Sequence, residues 1–115
     1  MNVTLYGIPN CDTVKKARVW LDDNNIEHRF HDFRKDGLEA DQVKQWITTL
    51  ALDTVINKRS TSWKALTDEQ KNGLNEQTAV ELILDSPTLI KRPLLDKDGE
   101  LQVGFKAANY ESTFA

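Results

Sequence analysis

A chain of 115 residues with 39% hydrophobic and 29% charged positions has the size and composition of one ordinary soluble domain, and no apolar run approaches the ~20 residues of a membrane-spanning helix. Its formal charge of −3 gives no global attraction to a phosphate backbone, which argues against direct nucleic-acid binding. Met1-Asn2-Val3-Thr4-Leu5-Tyr6 lacks the basic and then apolar pattern of a secretory signal, so neither membrane attachment nor export is expected and the expected compartment is the cytoplasm.

From Asn2 to Tyr6 apolar and polar side chains alternate, and Gly7 and Pro9 then end regular structure, which predicts a short strand and a tight loop. Val14, Ala17 and Leu21, with Trp20 beside them, recur at helical spacing from Asp12 until Asp22-Asp23-Asn24-Asn25 breaks the pattern. Alternation returns over Ile26 to Phe33, placing Ile26, His28 and Phe30 on one face of a second strand. Strand, helix and strand in this order form a βαβ unit with parallel strands.

Beyond Gly37 a helical stripe runs through Val43, Trp46, Ile47 and Leu50. Shorter helical pieces are expected around Ser62 to Leu66 and Asp68 to Asn72, and a longer one from Asn75 to Asp85 with Val80, Ile83 and Leu84 inward. Leu94-Leu95 and Leu101 to Gly104, around Asp98-Gly99, carry the signature of a β-hairpin. Lys106 to Phe114 predicts a terminal helix. The hairpin strands are too short to stand alone and are expected to join the N-terminal strands. The fold class is therefore α/β: a mixed four-stranded sheet, with a helical insertion at about 38–86 between the βαβ unit and the hairpin, in a single domain over 1–115.

Chemistry is expected at Cys11, the only cysteine. The loop Gly7-Ile8-Pro9-Asn10 carries it from a strand straight into a helix, where unpaired backbone N–H groups and the positive end of the helix dipole favour a thiolate. Lys15 lies one turn along on nearly the same face and adds positive charge, which Asp12 opposes. The other reading is a small buried residue, as free cysteines often are; the loop position favours a working thiol. A lone cysteine cannot close an internal disulfide, so oxidation would need a second molecule or a sulfenic acid. Arg59, Arg92 and Lys106 stand singly in loop-like surroundings, and by spacing alone each reads as a solvated charge.

Gly7-Ile8-Pro9-Asn10-Cys11-Asp12-Thr13, Lys58-Arg59-Ser60, Ile90-Lys91-Arg92-Pro93 and Val103-Gly104-Phe105, in this order, resemble the arsenate reductase-like (ArsC/Spx) family, and within it the bacterial YffB branch. The resemblance covers essentially the whole chain. It implies a thioredoxin-like fold, with Cys11 as nucleophile, Arg59 and Arg92 as oxyanion binders and a cis peptide bond before Pro93. It also implies that glutathione or glutaredoxin resolves the adduct formed on the thiol. Two departures stand out: the family's reductases carry a histidine at the position of Gly7, and a third anion-binding arginine is replaced by Lys106. Both weigh against efficient arsenate reduction, whereas a glutathione-linked thiol reaction tolerates them better.

The expected protein is therefore a glutathione-dependent thiol reductase of arsenate reductase type. Its substrate is a small oxyanion or thiol compound, glutathione serves as co-substrate, and no cofactor is bound. Catalysis is assigned to Cys11, substrate binding to Arg59, Arg92, Lys106 and Lys15, and a structural role to Pro93. The alternative is a regulatory protein like the Spx branch, which binds the RNA polymerase α subunit. That branch senses oxidation through a Cys-X-X-Cys pair, and Cys11-Asp12-Thr13-Val14 lacks the second thiol. No metal is expected, because His28 and His31 find no further ligands in the pattern. Trp20, Trp46 and Trp63 read as core residues, the Asp pairs as turn and cap residues, and the acidic surface suits a monomer.

Overall fold

The structure is a computed structural model describing residues 1–115. In chain order it consists of β1 (Val3–Gly7), α1 (Asp12–Asp23), β2 (Arg29–Asp32), α2 (Ala40–Leu50), α3 (Leu52–Val55), α4 (Thr61–Lys64), α5 (Asp68–Asn72), α6 (Glu76–Asp85), a 3₁₀ turn at Pro87–Leu89, β3 (Leu94–Lys97), β4 (Glu100–Val103) and α7 (Ala107–Thr113). Residues 1–36 and 92–115 form one compact unit, and residues 37–91 form a second. No helix is long and apolar enough to cross a membrane.

The first unit is the α/β part, with the strand arrangement of a thioredoxin-like fold. Its sheet has the order β2-β1-β3-β4; β1 and β2 are parallel, and the other pairs are antiparallel. Val3 and Leu5 of β1, Leu95 of β3, Val14, Ala17 and Leu21 of α1 and Tyr110 of α7 share one buried cluster. The spacing i, i+3, i+7 puts the three α1 residues on one stripe. The helix ends where Asn24 Nδ2 donates to the Trp20 carbonyl at 2.8 Å and Asn25 turns to φ +56°. The β3–β4 hairpin closes through Asp98 and Gly99, both with positive φ, as a two-residue turn matching the strand twist requires.

The second strand is shorter than expected. Ile26 N donates to the Leu21 carbonyl, and His28 Nδ1 lies 2.8 Å from the Ile26 carbonyl. These bonds keep Ile26 and His28 in the turn after α1, so only Arg29 to Asp32 pair with β1.

In the second unit α2 packs on α6, and Val43, Trp46, Ile47, Val55, Ile56, Ala79, Ile83, Leu89 and Ile90 are buried. The inner stripe of α6 is Ala79 and Ile83, not the expected Val80, Ile83 and Leu84. Val80 is half-buried and Leu84 is 39% exposed, because each lies one residue, or about 100° of helix rotation, past that stripe. The helix α3 and the 3₁₀ turn were not expected. Capping boxes at Thr67/Gln70 and Asn75/Thr78 start α5 and α6, satisfying backbone donors that no preceding turn can reach.

Candidate active site

Cys11 is the N-cap residue of α1, with extended backbone (φ −101°, ψ 124°) and a side chain that makes no capping bond. Its carbonyl accepts the first helical hydrogen bond, from Lys15 N at 2.9 Å. The thiol is half-buried, and the residue packs against the Val14, Ala17 and Leu21 cluster. Val14 is buried in that cluster and anchors the helix start in the core, which fixes Cys11 at the amide end of α1. Lys15, in the first turn, is exposed.

Strand register gathers two further segments at the end of the sheet where β1 runs out into the Cys11 loop. Tyr6 pairs with Leu94, and Leu94 pairs with Val103, so Arg92 and Pro93 immediately precede β3 at that end and Gly104 to Lys106 immediately follow β4. The Arg92–Pro93 peptide bond is cis, as the resemblance implied. Gly104, at φ +80°, donates its N–H to the Pro93 carbonyl at 2.8 Å, tying the two segments together. A left-handed φ there suits glycine and would strain a residue with a β-carbon. Pro93 is buried and Arg92 is half-buried, with its Nε withdrawn from solvent. Lys106 is the exposed N-cap residue of α7.

Cys11, Lys15, Arg92, Pro93 and Lys106 therefore share one unit, and all but Lys15 lie in segments that meet at one sheet end. Arg59 belongs to the second unit, in the turn between α3 and α4, and is exposed. That turn is closely bonded. Asn57 Oδ1 accepts from Arg59 N at 3.0 Å, and Ser60 Oγ donates to the Asn57 carbonyl at 2.7 Å and accepts from Trp63 N at 3.1 Å. Ser60 is only 8% exposed. From the sequence Asn57 has no role and Ser60 enters only within the Lys58-Arg59-Ser60 segment, although an Asn followed three residues later by a Ser at a helix start is a recognisable turn-and-cap pattern.

Chemically, a sulfur at a helix amide end, with an arginine and a lysine on the neighbouring segments, suits attack on an electrophile that carries negative charge. The fold and this arrangement define a thioredoxin-like α/β protein with a single cysteine between its first strand and first helix. The model of the ArsC family matches residues 6–113, and the chain belongs to that family. It is 48% identical over 113 residues to an uncharacterised protein of Haemophilus influenzae, covering 98% of this chain and 99% of that one. It is also similar to a solved structure of a YffB protein, with 39% identity and a TM-score of 0.94 over 99% of this chain and 100% of the other. The global transcriptional regulator Spx of Listeria innocua is 32% identical over 105 residues, which are 90% of this chain and 79% of that protein.

Proposed function

We propose that the protein is a glutathione-dependent thiol reductase, of arsenate reductase type, that works through Cys11 alone. The supporting observation is the position of Cys11 as N-cap of α1, with no side-chain capping bond, at the sheet end that also receives Arg92, Pro93 and Lys106. In the proposed cycle the Cys11 thiolate attacks the glutathione sulfur of a mixed disulfide. The substrate thiolate leaves with the electron pair of the broken S–S bond and takes up a proton. The thiolate of a second glutathione then attacks the glutathione sulfur held on Cys11, releasing oxidised glutathione and regenerating the Cys11 thiolate. The disulfide thus passes from the substrate to a pair of glutathiones, and no second protein thiol is needed.

Arg92 and Lys106 are assigned to the carboxylates of glutathione or to an oxyanion, and Lys15 to positive charge for the same ligand; Arg59 is assigned an anion-binding role by the family resemblance alone. Glutathione or glutaredoxin is the proposed partner, the cytoplasm the proposed compartment and a monomer the proposed state. The test is intact-mass analysis after exposure to oxidised glutathione, together with turnover of a glutathionylated substrate. One glutathione per chain, lost in Cys11→Ser together with turnover, supports the reading. A Cys11 that forms no adduct overturns it.

The Spx relatives support a second reading, a regulatory protein that binds the RNA polymerase α subunit without a Cys-X-X-Cys switch. Retention of the α C-terminal domain on the immobilised protein, equal for native and Cys11→Ser chains, together with absent turnover, would favour it.

A further inference from the structure

Away from Cys11, the second unit brings two ammonium groups to one indole. Lys58 Nζ lies 5.6 Å and Lys71 Nζ 5.8 Å from the centroid of the Trp63 ring, both inside the range of a cation–π contact. Trp63, expected in the core, is only half-buried, and it is held at the start of α4 by the bond from its backbone N–H to Ser60 Oγ. Lys58, Arg59, Lys64 and Lys71 face only Asp68 and Glu69 within Asn57 to Lys71, although the whole chain carries −3. The carboxylate that Lys58 does meet, Asp53 at 3.8 Å, is 89% exposed, and Lys58 is 58% exposed. Such a pair is weak, screened by salt and open to exchange.

From this we infer that Lys58, Trp63 and Lys71 form a docking platform for an acidic, extended segment of a partner protein. Both ammonium groups are within 6 Å of one ring centre, so they are no more than about 11 Å apart. Carboxylates at i and i+2 of an extended chain are spaced by about 7 Å, inside that limit, and can pair with both ammonium groups. Contact with the ring restricts two flexible side chains in advance, which lowers the ordering cost of binding. The neighbouring groove between α5 and α6 is lined by Glu69 and Glu81, with Thr67, Gln70 and Thr78. It repels the same segment and confines docking to the Trp63 side. A small oxyanion would want forked donors or converging backbone amides, and the platform offers two separated point charges. A nucleic-acid base would have to displace ammonium groups from the ring before stacking on it.

The experiment is a titration of the ¹⁵N-labelled full-length Cys11→Ser chain, so that its outcome is independent of the thiol reaction. The probe is an acetylated, amidated peptide of alternating glutamate and alanine. The three tryptophans give three indole signals. Movement of the Trp63 signal, but not those of Trp20 and Trp46, is expected, and it should vanish at about 0.5 M NaCl, where the Debye length is only a few ångströms. Lys58→Gln/Lys71→Gln should bind about tenfold more weakly, as loss of two exposed charge contacts predicts. Lys58→Glu/Lys71→Glu should instead prefer a lysine–alanine peptide. No movement of Trp63, equal binding by the glutamine double variant, or tighter binding of an oligothymidylate would overturn the proposal.

Discussion

The isopropyl group of Val14 lies against the α-carbon of Gly7, where an added β-carbon would sit 2.8 Å from Val14 Cγ2. Gly7 is thus required for space at the crossing of β1 and α1, two residues from Pro9 and four from the thiol. Val14 is β-branched, confined to few rotamers in a helix, and buried, so it has little room to retreat. Gly7→Ala is expected to cost about 1–3 kcal/mol, and Gly7→Ala/Val14→Ala should recover part of that loss in urea unfolding. The histidine carried here by the reductases that the chain resembles would meet the same wall. Gly7→His is therefore expected to lose stability without gaining arsenate reduction. Full stability of Gly7→Ala would contradict the contact.

Ser60 governs the Arg59 turn from beneath. Its hydroxyl both donates to the Asn57 carbonyl and accepts from Trp63 N; alanine there leaves the Trp63 N–H without this partner, while the Asn57 carbonyl keeps the bond from the backbone N–H of residue 60 at 3.1 Å. Ser60→Ala is expected to cost about 1–2 kcal/mol, read from the urea midpoint at unchanged slope. If Arg59 binds an anionic substrate as proposed, the same variant raises KM for glutathione with little change in kcat, because the cation is displaced but not removed. An unchanged KM would separate the turn from substrate binding.

The elements near the thiol were legible because their signals are local. Val14, Ala17 and Leu21 mark α1 by period, Asp98-Gly99 marks the hairpin by turn chemistry, and Gly7 and Pro9 mark the loop between β1 and α1. Reading failed where the decision was tertiary. Ile26 and His28 alternate like strand residues, but Ile26 N bonds back to the Leu21 carbonyl of α1 and His28 Nδ1 bonds to the Ile26 carbonyl, which holds both out of β2. On α6 the choice between Ala79 and Leu84 as inner residue depends on the rotation at which that helix meets α2, which an apolar run alone cannot fix. That Arg92, Pro93 and Lys106 lie at the same sheet end as the Cys11 loop follows from strand register, and the cis bond before Pro93 follows from the family resemblance, since local sequence barely distinguishes the two isomers.

Arg92 and Lys106 stand on different segments at the sheet end of the Cys11 loop and differ in exposure, so their substitutions should differ in kind. Arg92 is half-buried, and a guanidinium can pair a carboxylate through two bonds, whereas an ammonium offers a point charge. Arg92→Lys is expected to lower kcat/KM for a glutathionylated substrate about tenfold or more, the value of one charge-assisted hydrogen bond. Lys106, being exposed, contributes through a screened charge, and Lys106→Gln should lower it by only about two- to fivefold. Raising the salt concentration should erase the Lys106 effect and leave most of the Arg92 effect, in parallel steady-state measurements. Equal salt sensitivity of the two would contradict this difference.

Tyr110 places a hydroxyl in the wrong company. Its ring meets Phe105 and Trp20 edge-on, at 4.8 and 5.5 Å between centroids, and its oxygen is buried without a hydrogen-bond partner. An unsatisfied buried hydroxyl costs about 1–3 kcal/mol, so Tyr110→Phe is expected to be neutral or to stabilise by up to about 1 kcal/mol at neutral pH. The same burial pushes the phenol well above its ordinary value. A group whose folded-state pKa is raised contributes stability that is complete below its unfolded pKa, here about 10, and that is lost as the pH climbs from there toward the folded value. Native stability should therefore fall above pH ~10 by up to about 1.4 kcal/mol per pH unit from this residue alone. In the phenylalanine variant that component is absent, and the contribution of Tyr6 cancels because both proteins carry it. Urea unfolding of both proteins, at pH values on either side of about 10, should give stability curves that run parallel below it and diverge above it. Curves that stayed parallel throughout would mean that the phenol reaches solvent.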